Sequence, residues 1–484
     1  MSDTMRLTDE LIRAALTPAD DLRVPAGLGD EIRASVDATA QRGAPLLALP
    51  RSPRSRLVVR LILVGLLVLA AAGATFLGAS RPMPPPAPLG ISTYHGGPER
   101  NGVMPGPAPI GRPGVEWIQS VQGPINAGSP VVLDGVVYVG DEGGYVTALD
   151  EASGRILWSH TVGAAINDGG SVSDGVLVVG DDAGVVHAID IAAAGAEAAR
   201  LGGPDTRAPG PVLGSEVELW HYKTEQAVHS AAVIADGIVY VASLSGTLDA
   251  LDLRTGRALW PAPVRTSGSV SRTIAYASGV IYEGSGGPDA ATVSELASYD
   301  AATGSLRWSK PLSHGNTSTV SLSDGRVFVS SGLDGGAADD HRLFAFDATT
   351  GAADWTQPFA APSKTTLLIC AVADGLVFAC GDDKTLYAVD AKTGQSDWTD
   401  PIASTLSPNG GYVGRIVYIT SDDDKIHAID ATNGKDVWAA VAAPGLPSAP
   451  SIIDGRIIVG TSLGKVVSLA MPTAAETSAS ASPP

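Results

Sequence analysis

The residues best able to do chemistry in this 484-residue chain are few and scattered. Cys370 and Cys380 stand ten positions apart around an Asp374-Gly375 turn signal. Such a pair can meet across a hairpin, but register depends on turn type, so spacing alone leaves a bridge and two free thiols both open. Two cysteines are too few for a disulfide scaffold or a multi-cysteine zinc or iron–sulfur site. The eight histidines show no HExxH or paired-His spacing. Carboxylates cluster at Asp141-Glu142, Asp181-Asp182, Asp382-Asp383 and Asp422-Asp423-Asp424. Oxygen clusters of this kind suit a hard cation such as calcium, but none follows the EF-hand pattern D-x-[DN]-x-[DN]-G. Polar hairpin turns account for them. Asp334, Asp339, Asp340 and His341 crowd one longer turn and form the densest candidate. No G-x-S-x-G nucleophile elbow is present.

The elements that must position these residues follow from a repeat. All eight tryptophans, Trp117, Trp158, Trp220, Trp260, Trp308, Trp355, Trp398 and Trp438, occupy similar contexts. They lie 40 to 48 residues apart except for one gap of 62. Eight residues before most of them sits an aspartate (Asp150, Asp252, Asp300, Asp347, Asp390, Asp430), and four residues after each aspartate sits a glycine. The stretch 131–158 holds three short apolar runs separated by turn signals, and the tryptophan run follows as a fourth. A four-stranded antiparallel meander of about 40 residues has the length of a propeller blade. The aspartate accepts backbone N–H groups of its turn, and the tryptophan offers a flat face to the next blade. Units beginning near residues 131, 171, 232, 275, 320, 369, 411 and 450 make eight blades. The strand at 114–120 precedes the first unit, and the last unit lacks a tryptophan strand. The first strand therefore completes the last blade and removes the exposed edge.

Flanking segments read differently. The first 60 residues carry nine Arg and eight acids, whereas the rest carries 23 basic and 43 acidic residues of a total net charge of -19. The uncharged run 61–80 spans about 30 Å as a helix, the thickness of a bilayer core. It starts too far from the N-terminus, and runs too long, for a signal peptide. Arg42, Arg51, Arg54, Arg56 and Arg60 precede it, so the N-terminus is expected in the cytoplasm and the acidic bulk outside. The expected organisation is a partly helical cytoplasmic leader (1–55), a transmembrane helix (56–80), a Pro-rich linker and lead-in (81–112), the propeller (113–471) and a disordered tail (472–484). Residues 191–219, rich in Ala, Gly and Pro, interrupt the second unit and read as a flexible loop on the face opposite the channel mouth. The acidic balance excludes a basic nucleic-acid-binding face.

The repeat resembles the pyrroloquinoline-quinone (PQQ)-type repeat family, whose docking motif is A-x-D-x-x-T-G-x-x-x-W. Ala250, Asp252, Thr255, Gly256 and Trp260 carry it, as do Ala388 to Trp398 and Ala345 to Trp355. Ala148 to Trp158 has Ser for Thr, Ala428 to Trp438 has Asn433, and the copy ending at Trp308 begins with Ser298. The lead-in Tyr94 to Gly102 is also similar to that family. The resemblance covers about residues 91–471 and implies an all-β fold, an eight-bladed β-propeller behind one transmembrane helix.

Function is a separate matter, since one fold hosts many. Quinoprotein dehydrogenases of this family use PQQ and calcium; other branches are non-enzymatic, including the outer membrane protein assembly factor of the barrel-assembly machinery. The dehydrogenases place two adjacent cysteines and a channel tryptophan against the cofactor, and this chain matches neither. The expectation is therefore no catalytic, cofactor or metal site, and no PQQ or calcium. Loops entering the innermost strands carry Asn126, Asn167, Asp168, His229, Arg272, Asn316, Thr317 and Asn409, the candidate channel-mouth binding residues. Lengthened turns near 284–294 and 331–341 fall on the same face. The expected role is a membrane-anchored, extracytoplasmic binding scaffold for an envelope protein partner. A ligand sensor signalling through the leader and a PQQ-dependent dehydrogenase are the alternatives.

Overall fold

The computed structural model describes residues 90–125, 128–202, 210–270, 274–287, 292–333, 341–362, 365–402 and 404–471. The leader, the 61–80 run and the tail lie outside them. No helix among the described residues is long and apolar enough to cross a membrane.

Among the described residues the strands form eight sheets, each built around a run of consecutive antiparallel strands. Blade 2 is typical: Ser171–Ser173, Val176–Gly180, Val185–Asp190 and Glu218–Lys223 run from the innermost strand to the outermost. The first turn of each blade holds two residues of positive φ, for example Asp134 at 51° and Gly135 at 77°. That is the mirror-image turn whose twist matches a two-residue hairpin. In blade 5 the outer strand is reduced to the bridges Leu343↔Phe359 and Phe346↔Ala353, and Pro358 in that stretch has no N–H for a ladder. Ring closure follows the sequence expectation. Gly114–Ser120 pairs antiparallel with Lys465–Ala470, from Gly114↔Ala470 to Ser120↔Lys465.

The repeat motif is a docking device between blades. Asp390 accepts from the Thr393 amide (2.7 Å) and hydroxyl (2.8 Å), which shapes the turn. The indole of the preceding blade then donates to the carbonyl just after the motif aspartate. Six tryptophans do this: Trp117 to Glu151 (2.9 Å), Trp220 to Leu253 (2.9 Å), Trp260 to Ala301 (3.2 Å), Trp308 to Ala348 (3.2 Å), Trp355 to Ala391 (3.0 Å) and Trp398 to Ala431 (2.9 Å). The motif glycine lies flat beneath the ring. At Gly394 φ is 70°, and an added Cβ would sit 2.6 Å from Trp355 Cδ2. Left-handed backbone and ring contact both demand glycine there. Gly394→Ala is expected to cost about 2–3 kcal/mol in chemical denaturation. An unchanged midpoint would show that the turn can move away from the ring.

Residues 191–219 correct the flexible-loop expectation. Ile191–Arg200 is an α-helix, α1, whose N-cap Asp190 accepts from the Ala193 amide. Val212–Leu213 then adds in parallel to the outer strand of blade 1. Ala194 and Ala198 are buried in the core shared with Tyr138, Trp158 and Leu213. The alanines that suggested flexibility are helix formers presenting a small apolar face.

Cys370 and Cys380 form a disulfide within blade 6, with Cα atoms 6.1 Å apart. Cys370 occupies a bulge between Ile369 and Ala371, which brings its side chain to the partner strand. Replacing both cysteines by alanine is expected to cost about 2–3 kcal/mol, the loop-entropy value for so short a closed loop. Equal unfolding midpoints of wild type and double variant would refute that cost.

Candidate functional site

A single chain segment closes one end of the central channel. Residues 90–107 circle the ring and bond to all eight blades, to seven of them in order through backbone pairing with the innermost strand. Gly90 and Ile91 pair with Leu133 and Val132 of blade 1. The Val172 amide donates to Ser92 (2.7 Å), Tyr276 to Pro98 (2.8 Å), Leu322 to Glu99 (2.9 Å), Val372 to Asn101 (2.7 Å) and Tyr412 to Gly102 (2.8 Å). Gly106 donates to Ile452 of blade 8 (3.2 Å). Blade 3 is held by Arg100. Its guanidinium donates to Ala231 (3.0 Å), Ala232 (2.8 Å), Ile274 (3.2 Å), Tyr94 (2.7 Å) and the Thr93 hydroxyl (2.6 Å). Arg100 is fully buried. Burial draws it down to about 10, and Asp168 opposes that shift. His95 is buried beside it, stacked on Tyr94, and burial lowers its imidazole to about 3, so the ring is neutral. The backbone contacts all fall within two residues of the first turn of a blade, so this strap lies across that end of the channel. The opposite end is the mouth.

At the mouth, two sequence-predicted residues, Asn167 and His229, converge on Asp182 between blades 2 and 3. Asn167 donates its amide to Asp182 Oδ1, and His229 Nε2 lies 2.8 Å from the same oxygen. Asp182 and His229 are partly exposed, at 43% and 35% of their side-chain surface. Asp168 faces inward instead, accepting from the Ala231 amide (2.8 Å). Asn316 and Thr317 are buried between blades 4 and 5, where Thr317 packs over Gly284. Above them, Val293–Asp300 and Leu306–His314 carry blade 4 outward on the mouth side. Asn126, Arg272 and the Asn409 side chain lie outside the described residues.

Asp182 is the residue that sequence reasoning passed over. It was grouped with turn carboxylates, and its neighbour Asp181 is one: Asp181 accepts from the Val185 amide (2.7 Å) and meets His187 Nε2 (3.2 Å). Asp383 and Asp422 likewise tie turns to the adjoining loops, Asp383 through Thr365 and Tyr387 and Asp422 through Thr405. The side-chain partner of Asp182 comes from the next blade, a distance of 47 residues that no local pattern reports. Among the described residues no group of three or more His, Cys, Asp or Glu is placed to hold a metal ion. The mouth presents hydrogen-bonding side chains on a rigid ring, with a carboxylate, an imidazole and an amide converging and no hydroxyl or thiol among the three.

The likenesses to known proteins agree with this architecture. A curated relative, the outer membrane protein assembly factor BamB of Yersinia pestis, is 29% identical over 164 residues, which is 32% of this chain and 36% of that protein. The aligned stretch thus spans about a third of the relative's length. Among solved structures, BamB from Moraxella catarrhalis matches with a TM-score of 0.53 at 18% identity, covering 73% of this chain and 98% of that one. A quinohemoprotein alcohol dehydrogenase from Pseudomonas putida matches with a TM-score of 0.61 at 16% identity, covering 79% and 80%. At such identities these structures share the fold and no more. The family profile matches residues 114–281, 268–407 and 401–476, which takes in all eight blades and the closing strand. With the repeat, the closure and the profile in agreement, the chain belongs to the family described as outer membrane protein assembly factor BamB.

Proposed function

We propose that this protein is a non-catalytic scaffold of the cell envelope that binds a protein partner at the channel mouth. The observation that carries the reading is the strap. By bonding to all eight blades it closes one end of the channel and leaves a single polar mouth on a rigid ring. Loops on such a scaffold are the usual place for binding residues. Family membership and the BamB relatives support a role in envelope protein assembly. In this reading the 61–80 run anchors the propeller at the cytoplasmic membrane, with the N-terminus inside.

The residues present do not fit PQQ and calcium, the groups used by the family's dehydrogenases. The six docked indoles are committed to carbonyls between blades. The two cysteines bridge neighbouring strands of one blade, and the strap with buried Arg100 occupies one end of the channel.

The test is in-cell crosslinking with mass spectrometry on the full-length chain. Asp182→Arg and His229→Glu change the mouth without touching blade docking, and both should reduce crosslinks to a specific envelope protein at least tenfold. Crosslinks unchanged in both variants, or no specific partner at all, would sink the scaffold reading.

A further inference from the structure

Blade 1 departs from the docking rule. In blades 3 and 4 two donors of one blade converge on one carbonyl of the next. The Tyr240 hydroxyl (3.3 Å) and Trp260 indole (3.2 Å) both donate to Ala301, and Tyr282 (3.1 Å) and Trp308 (3.2 Å) both donate to Ala348. Blade 1 has the same pair, Tyr138 and Trp158, with ring centres 6.0 Å apart as in Tyr282–Trp308. The acceptor should come from Ile191, the residue after Asp190. The Ile191 amide keeps the repeat contact, to Gly175 at 3.0 Å. Its carbonyl, however, opens α1, and the i→i+4 ladder of the helix takes it. Tyr138 and Trp158 are only 4% and 3% exposed, and neither hydroxyl nor indole N–H has a hydrogen-bond partner among the described residues. Blade 7 has a related pair, Tyr418 and Trp438, but among the described residues no helix covers it and Trp438 is half-buried.

Beside the blade 1 pair the helix leaves a cavity of about 220 Å³. Val136, Leu157, Ile191 and Ala198 form its apolar walls, and Gly195 stands at its rim with nothing within 4 Å of where a Cβ would be. We propose that this cavity binds a small neutral apolar molecule bearing one carbonyl, its oxygen accepting from the Tyr138 hydroxyl and the Trp158 indole. The ligand carbonyl replaces the backbone carbonyl that α1 withdraws. Tyr138 and Trp158 line the cavity, so a ligand oxygen that accepts from their free donors is favoured over an apolar isostere that cannot. Among the described residues no charged side chain lines the cavity, which disfavours a carboxylate. The volume, below the roughly 300–1,000 Å³ of drug-sized sites, limits the ligand to fragment size.

The probes are acetophenone and α-methylstyrene, which differ in carbonyl oxygen against methylene. Titrations use the full chain with ¹⁵N-labelled tryptophan, read by indole resonances. Acetophenone is expected to shift one indole signal, the one missing from Trp158→Phe, and to bind at least fivefold tighter than α-methylstyrene. Tyr138→Phe should cut that preference, and it should fold, because Phe328 and Phe378 stand at this position in blades 5 and 6. Gly195→Leu should fill the cavity and abolish the shift while keeping the thermal midpoint, since leucine is the better helix former. Equal affinity of the two probes, a shift at another indole, a shift that survives Gly195→Leu, or no shift at millimolar acetophenone would each overturn the site.

Discussion

Replacing Arg100 by methionine is expected to cost about 3–5 kcal/mol of folding stability, the scale for breaking a buried, fully bonded charge. The reason is the accounting around its guanidinium. Five donated hydrogen bonds join the strap to blades 3 and 4 and to the strap's own Thr93 and Tyr94. Methionine fills much of the volume but removes the donor from four carbonyls and a hydroxyl; Ala232 and Thr93 keep Ser171 as a partner, and each buried carbonyl left unpaired costs about 1–3 kcal/mol before relaxation. Lysine should not rescue, because a point charge cannot reproduce the planar fork. Hydrogen exchange separates this effect from general destabilisation. The inner-strand amides that donate to the strap, Val172, Tyr276, Leu322 and Val372, should lose protection first. Uniform loss across outer strands would show that the strap is not a separate cooperative unit.

The second large effect is a gain. Glu283 is fully buried in the second strand of blade 4. In the matching strand positions the other blades carry Val139, Val179, Val241, Val329, Ala379, Ile419 and Val459. The carboxyl oxygens have no hydrogen-bond partner meeting ordinary geometry. Burial pushes the acid from 4.5 to about 8; Glu295 adds to the rise and nearby Ser285 opposes it. The linkage sign is set by a folded value above the unfolded one. Between about pH 4.5 and 8 the folded state holds a proton the unfolded state has released, so stability falls as pH rises through that window. At roughly 1.4 kcal/mol per unit, the loss from pH 4.5 to 9 amounts to about 4–5 kcal/mol. Glu283→Val is therefore expected to raise stability at pH 8 by about 3 kcal/mol or more and to flatten the pH dependence. Denaturant midpoints of both proteins at pH 5, 7 and 9 check this. Parallel profiles, with the variant no more stable at pH 9, would show that the carboxyl is solvated in the folded chain.

The sequence carried the fold because a propeller repeats one local solution eight times. Alternating apolar runs and a tryptophan every 40 or so residues are short-range signals that recur eight times, and six of the eight blades open on an Asp-Gly turn. The closing strand was legible as well, since the last blade lacks a tryptophan strand and Gly114–Ser120 supplies one. Even the disulfide was half-visible: the ten-residue spacing allowed it, but the bulge at Cys370 that delivers the side chain is a feature of strand register.

Long-range pairings were not legible. The channel plug depends on contacts such as Arg100 with Ile274, 174 residues apart, and no local pattern encodes them. Asn167, Asp182 and His229 meet for the same reason, while Asn316 and Thr317, which look alike in sequence, end up buried between blades. The helix at 191–200 was masked by a composition shared by loops and helices, and only its packing on blade 1 decides between them. Its consequence, two donors deprived of a backbone acceptor beside a cavity, exists only once blade 2 is set against blade 1. The sequence alone thus determined the blade, the blade number and the closure, because those rest on turn chemistry and strand period. The tertiary structure decided which polar groups are left without partners, because that depends on what the neighbouring blade brings within hydrogen-bond reach.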